Sequence, residues 1–154
     1  MRYLRKSFLF LTFFLILLVF SVAERSVLVI TDGKAEKVYP PLGEHEITIE
    51  YIHSVERSEV IETLVVNRSG IYATGMKWKD FGAGLPEDFQ DWNGSWYEKR
   101  INIYLGKSLD YWFIPVNQAN ITVDGSLAFA PRSDTLIKFQ IKSCPILLTA
   151  IGRC

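Results

Sequence analysis

The stretch that decides the fold is Glu46–Trp78, which reads EITIEYIHSVERSEVIETLVVNRSGIYATGMKW. At its start apolar and polar side chains alternate, so Ile47, Ile49 and Tyr51 fall on one face of an extended chain. Turn-forming residues, such as those of Asn67–Gly70, divide the stretch. Its three extended runs are Glu46–His53, Glu59–Val66 and Ile71–Trp78. They predict a meander of three consecutive antiparallel strands.

The same pattern continues outward on both sides. The further extended runs are Val27–Thr31, Arg100–Leu105, Leu109–Val116, Ile121–Val123, Leu127–Phe129, Thr135–Lys142 and Ile146–Ile151. Arg100–Leu105 and Leu109–Val116 are predicted to pair as a hairpin over Gly106–Ser108. We therefore predict an all-β chain: a single antiparallel β-sandwich or barrel of about nine or ten strands, preceded by one N-terminal hydrophobic helix.

The composition excludes several classes of protein. The chain has 154 residues, enough for one domain, and its hydrophobic fraction of 49% can fill a core. Its 17 basic residues balance 17 acidic ones, so it has no broad cationic field, and nucleic acid is not an expected partner. Two Cys and two His are too few for a zinc-finger or iron–sulfur framework, and no cofactor is expected.

The N-terminal segment predicts the compartment. Its basic residues are Arg2, Arg5 and Lys6. An uncharged, mostly apolar run, Ser7–Ala23, follows them, as in a secretory signal or a membrane anchor. Ser21 and Ala23 are small residues placed for cleavage before Glu24, so a cleaved signal and a retained anchor both stay open. A buried core helix is the third alternative, although such a helix normally keeps a polar face.

Residues 1–23 are accordingly predicted to be a signal peptide or membrane anchor, and residues 24–154 an extracytoplasmic β-domain, membrane-anchored or secreted. Without residues 1–23 the chain loses three basic residues and no acidic ones. The exported part then has 14 basic and 17 acidic residues, a net charge of −3. Outside the cytoplasm Cys144 and Cys154 can form a disulfide. Two unpaired thiols are the alternative.

A polar cluster follows the first strand of the meander. We expect His53, Ser54 and Glu56 at the rim of the sheet, with Glu62 brought back alongside by the next strand. Four interpretations remain open: Ser/His/acid hydrolysis, a metal site that also uses His45 or Glu62, a merely structural turn, and recognition of a ligand or partner. Hydrolysis is disfavoured because adjacent residues of an extended strand point to opposite sides.

A second feature is Phe81–Pro86, FGAGLP. Gly82 and Gly84 permit positive φ or close backbone approach, and Pro86 stiffens the exit. Exposed N–H groups there could hold a carboxylate, whereas a shaped turn at the end of the sandwich is the structural alternative. It lies in a 20-residue segment, 79–98, with five aromatic residues, which is unlike an inert connector.

Together the segments YIHSVERS (51–58), Glu62 and FGAGLP (81–86) resemble the small prokaryotic family called domain of unknown function eighteen-fifty. The resemblance extends over nearly all of the exported part, from Val27 onward. Members of that family are often encoded beside, or fused to, TAXI-type TRAP transporters that import organic acids. The resemblance therefore implies an accessory of such an importer, and it carries no catalytic role.

These features favour an extracytoplasmic accessory or binding module. Its expected partners are a membrane transporter or the transporter's binding protein, and a small carboxylate. Its expected binding residues are His53, Ser54, Glu56, Glu62, Gly82, Gly84 and Pro86, with the two motifs meeting in space. The alternatives are an extracytoplasmic hydrolase using His53 with a nearby carboxylate, and a structural envelope protein without ligand.

Overall fold

In the computed structural model, which describes residues 2–40 and 43–154, eleven strands form two antiparallel sheets. The strands are β1 (Glu24–Thr31), β2 (Glu36–Tyr39), β3 (His45–Ile52), β4 (Glu59–Val66), β5 (Ile71–Trp78), β6 (Asp91–Trp92), β7 (Tyr97–Gly106), β8 (Ser108–Phe113), β9 (Asn120–Val123), β10 (Ser126–Phe129) and β11 (Thr135–Pro145). The helices are α1 (Arg2–Val22), α2 (Ile146–Ala150) and a 3₁₀ turn, Pro115–Asn117.

The sheets are of unequal size. One has four strands in the order β2-β1-β11-β8, and the other has seven in the order β10-β9-β3-β4-β5-β7-β6. The predicted all-β fold is thus confirmed, in its sandwich form. The meander is confirmed too, because β3, β4 and β5 are neighbours, with Ile47 opposite Leu64 and Val65 opposite Tyr72.

The core lies between the two sheets and follows from the alternation in the sequence. Ile47, Ile49 and Leu64 of the larger sheet are fully buried. They belong to the same cluster as Ile137 and Phe139 of β11 in the smaller sheet. Burial of each such side chain stabilises the fold by about 1.5–3 kcal/mol.

The predicted hairpin between the seventh and eighth strands is wrong. The chain changes sheets at Gly106, where φ is +100°, and β8 pairs with β11 instead of β7. The strand that does lie beside β7 on this side is β6, a two-residue strand within the segment predicted as a loop, and it pairs only with Tyr97 and Glu98 at the start of β7. β8 thereby becomes an edge strand of the smaller sheet.

The predicted last strand, Ile146–Ile151, is also wrong, because this segment forms α2. Pro145 precedes the helix, and Leu and Ala favour helix where no neighbouring strand is available. The Ile146 N–H donates to the Ala23 carbonyl over 3.0 Å. A disulfide joins Cys144 to Cys154, with the Cα atoms 5.4 Å apart, and so holds the segment against β11.

Over the N-terminal segment the chain forms α1, with exposed apolar side chains such as Phe10 and Leu11. Among the residues that the structure describes, no helix combines the length and the apolarity needed to cross a membrane. The division of the chain at residue 23 remains a prediction.

Candidate functional site

The first motif forms the loop between β3 and β4. The His53 N–H donates to the Ser58 carbonyl over 2.8 Å, and the Arg57 N–H donates to the His53 carbonyl over 2.9 Å. Arg57 takes a φ of +57°, which closes the loop. His53 Nδ1 accepts a hydrogen bond of 3.3 Å from the Glu56 N–H, so the neutral ring carries its proton on Nε2. The imidazole thus stabilises its own turn and presents an N–H outward.

The second motif is a tight turn that meets the first. The Leu85 N–H donates to the Gly82 carbonyl over 3.1 Å, and Gly84 has φ +84°, as the third position of a type II turn requires. Leu85 is buried beside Val60. A Cβ placed on Gly82 would overlap the carboxyl group of Glu56. The motifs therefore touch, and Glu56 itself places a carboxyl group beside the turn that was predicted to hold a ligand's carboxylate.

Glu62 lies between the two sheets, held by two phenols. The Tyr51 hydroxyl donates to Glu62 Oε1 over 2.8 Å, and the Tyr111 hydroxyl donates to Glu62 Oε2. Tyr51 is on β3, next to Glu62 on β4, whereas Tyr111 comes from β8 in the opposite sheet. One carboxylate thus connects both layers of the sandwich.

The protonation of the two phenols follows from their surroundings. Burial, and then the neighbouring Glu62 carboxylate, raise the pKa values of Tyr51 and Tyr111 above the ordinary tyrosine value of 10.0. Both hydroxyl groups therefore remain protonated around neutral pH. Each then acts as a fixed donor to the carboxylate.

A cleft of about 390 Å³ opens beside these phenols, and we call it the rim cleft. Its lining residues are Tyr51, His53, Ser54, Tyr111, Trp112, Phe113, Ile114 and Asn117. Asn117 fixes one wall, because its amide donates to the Ile52 carbonyl over 2.9 Å and accepts from the Ile114 N–H over 2.8 Å. Trp112, the most exposed aromatic residue of this lining, is 63% exposed.

The predicted site residues divide into three groups. His53 and Ser54 line the rim cleft, and Glu62 lies behind its tyrosines. Glu56 and Gly82 form the contact between motifs. Gly84 and Pro86 are not among the cleft's described lining residues, since they shape the turn beyond it. A binding role for any of these residues remains a prediction.

The aromatic segment packs around one tyrosine. Phe81, Phe89 and Trp92 surround Tyr97 with ring centroids 4.4, 4.8 and 4.3 Å away. Trp92 is nevertheless 49% exposed, so this cluster is only partly a core. The purely structural alternative expects a buried Trp92, and the structure leaves this residue half exposed.

The geometry also bears on the catalytic and metal alternatives. His45 lies at the far end of β3 from His53, with Nδ1 2.8 Å from Asp124 Oδ2 and Nε2 2.8 Å from the Pro40 carbonyl. In residues 2–40 and 43–154 no three His, Cys, Asp or Glu side chains are close enough to hold a metal ion. Within the same ranges no side-chain hydrogen bond joins His53 to Ser54, so a nucleophile–base pair is not assembled.

Sequence reasoning missed Tyr111, Trp112 and Asn117 as site residues. The alternation of Leu109, Tyr111 and Phe113 does mark an inward face. This alternation could not link Tyr111 to Glu62. The segment that became β8 was predicted to pair with β7 in the same sheet, and not to cross to the other sheet.

Comparison with known proteins identifies the family. A family model described as domain of unknown function (DUF1850) matches residues 47–128, which is 82 of the 154 residues. This range is shorter than the predicted one, but it contains every residue of the rim cleft. No curated protein and no solved structure matches the chain. The chain belongs to the DUF1850 family.

Proposed function

We propose that this DUF1850 protein is an extracytoplasmic binding module and that the rim cleft holds its ligand, or a side chain of its partner. The observation that carries the proposal is the Glu62 carboxylate, held by phenols from both sheets directly behind an open, aromatic-lined cleft. Pockets of this size, mostly apolar with a few placed polar groups, are typical of binding sites.

Stability alone gives little reason for such an arrangement. Replacing a buried polar network by well-packed apolar residues is often neutral or stabilising. The inward positions on either side of Glu62, Val60 and Leu64, are fully buried apolar residues. Because a carboxylate at this inward position of β4 is not needed for packing, it supports a role in recognition.

The location and the partner are proposed on other grounds. The basic and then apolar start of the chain supports export, and a disulfide between Cys144 and Cys154 suits an oxidising compartment. The family resemblance supports a membrane transporter of the TRAP type, or its binding protein, as the partner.

Thermal unfolding of the full-length chain in detergent micelles, against a panel of amines, alcohols, amino acids and carboxylates, tests the proposal. A ligand at ten times its Kd adds about 1.4 kcal/mol, which shifts the midpoint by a few degrees. We expect the shift to be lost in Trp112→Ala and kept in Leu127→Ala. Leu127 is similarly exposed but lies on β10, outside the rim cleft.

Equal shifts in both variants would place binding elsewhere and contradict the proposal. If no small molecule shifts the midpoint, a photoreactive residue at position 112 tests the partner form in membranes. Failure to cross-link any transporter component would then contradict that form as well.

A further inference from the structure

The direction of two hydrogen bonds decides what a ligand meets at the two tyrosine hydroxyl groups of the rim cleft. A phenol has one proton to donate and two lone pairs that accept. The protons of Tyr51 and Tyr111 are both given to Glu62. A ligand that reaches these hydroxyl groups therefore meets acceptors and must itself donate.

The charges around the cleft point the same way. The carboxylate of Glu62 lies one hydrogen bond behind the two tyrosine oxygens. Among the cleft's described lining residues there is no Lys or Arg, the side chains that usually bind carboxylates. Arg57 is in the adjoining loop, where its side chain is exposed and outside the lining.

The remaining walls suit an apolar body with a cationic end. Trp112 is an exposed aromatic residue of the lining beside the tyrosines, whereas Phe113 is buried behind it. Aromatic faces attract ammonium groups, most strongly where water is partly excluded. The polar groups of Asn117 are already engaged with backbone atoms, so they do not compete for the ligand.

We propose that the rim cleft binds a primary ammonium group carried on an aromatic or apolar body, with the hydroxyl oxygens of Tyr51 and Tyr111 accepting its protons and Glu62 supplying the opposing charge. The inference rests on the proposed function and specifies its ligand class. A small carboxylate, which the sequence predicted, is the competing class.

Three probes of one shape test the inference: 2-phenylethylamine, 2-phenylethanol and phenylacetate. Their Kd values for the full-length chain in zwitterionic detergent, measured at neutral pH by titration calorimetry, separate the head groups while the ring stays the same. We expect the amine to bind at least ten-fold more tightly than the carboxylate, with the alcohol between them.

Two charge-matched variants locate the origin of this preference. Glu62→Gln should reduce the ratio of amine to carboxylate affinity to within about three-fold of unity, because it removes the charge behind the tyrosines. Glu50→Gln should leave the ratio unchanged. Glu50 is exposed on β3 and lies outside the rim cleft, so this variant removes the same charge from another face.

The outcomes are distinguishable. If phenylacetate binds as tightly as the amine and Trp112→Ala weakens both, the cleft is a binding site but the ligand class is wrong. If no probe binds better to the wild type than to Trp112→Ala, the inference fails together with the small-ligand form of the proposed function. Should Glu62→Gln fail to fold, an unchanged affinity ratio in Tyr111→Phe would overturn the inference.

Discussion

Tyr111 on β8 donates its hydroxyl proton to Glu62 on β4, and this hydrogen bond crosses from one sheet of the sandwich to the other. Tyr51 donates to the second oxygen of the same carboxylate from within the larger sheet. The three side chains form a polar connection beside the apolar core cluster, and the rim cleft opens next to it. The stability of the fold and the binding that we propose therefore depend on the same atoms.

Tyr111→Phe should lower the free energy of unfolding by about 1.5–3 kcal/mol, the usual contribution of a hydrogen bond to a charged group. The partly buried Glu62 would lose one of its two phenol donors. Urea unfolding measures the change. Tyr104→Phe is the control, because Tyr104 is exposed and should change stability by less than about 0.5 kcal/mol. Equal losses in the two variants would contradict an interior role for Glu62.

Stability should fall in alkaline solution. The folded pKa values of Tyr51 and Tyr111 are raised, so near pH 10 the unfolded chain loses these protons while the folded chain keeps them. Their contribution is therefore complete below about pH 10 and is lost as the pH rises further. Tyrosinate absorbance at 295 nm measures ionisation, and far-ultraviolet circular dichroism measures unfolding in the same titration. Some of the tyrosines should ionise late, at the pH at which the chain unfolds. Ionisation of all seven tyrosines before unfolding would contradict it.

The carboxylate of Asp124 should confer stability that is lost in acid. Its hydrogen bond to His45 lowers its pKa, and the Glu46 N–H adds a second hydrogen bond of 3.0 Å. A depressed folded pKa stabilises the fold above the unfolded value of about 3.9 and loses that effect as the pH falls through the folded value. Because Asp124 is half exposed, Asp124→Asn should remove no more than about 1 kcal/mol.

Urea midpoints between pH 2 and pH 7 measure the acid dependence, in a range set by ordinary carboxyl pKa values of about 4. The Asn variant should show a shallower fall below about pH 4 than the wild type. Asp134→Asn, an exposed residue outside this contact, is the matched control. Parallel curves for Asp124→Asn and the wild type would show that the His45 contact does not contribute.

Two glycine substitutions should act through different physical causes. Gly82→Ala meets no restriction from φ, but its methyl group would displace the carboxyl group of Glu56. Gly84→Ala meets open space, but its φ of +84° is strained for alanine and costs about 1 kcal/mol. A double-mutant cycle with Glu56→Ala separates the two causes.

In the Glu56→Ala background the effect of Gly82→Ala on stability should disappear, and that of Gly84→Ala should remain. Chemical unfolding of the three single and two double variants, beside the wild type, provides both coupling energies. A Gly82→Ala effect that persists without Glu56 would show that the two motifs do not meet through this contact.

Much of the fold was predictable because alternation along a strand is a local property. Ile47, Ile49 and Tyr51 share a face wherever the strand is placed, so the sequence predicts the strand and its inward side. The pairing of β8 with β11 was not predictable in this way. It depends on the turn at Gly106, which carries the chain to the other sheet, and on the edge that β11, much later in the chain, offers to β8. The position of α2 likewise depends on a contact that is distant in sequence, since the Ile146 N–H donates to the carbonyl of Ala23, the residue before β1.

The sequence by itself determined the β character of the chain, the inward faces of its strands and the family's motif residues at the loop after β3. Only the tertiary structure placed Tyr111 opposite Glu62, a residue that lies 49 positions earlier in the chain. This contact between the sheets forms the back of the rim cleft. The physical reason is that side-chain direction follows from the local backbone, whereas the partner across a sandwich follows from strand order. Strand order is set by the competition of all edges for hydrogen bonds and for burial.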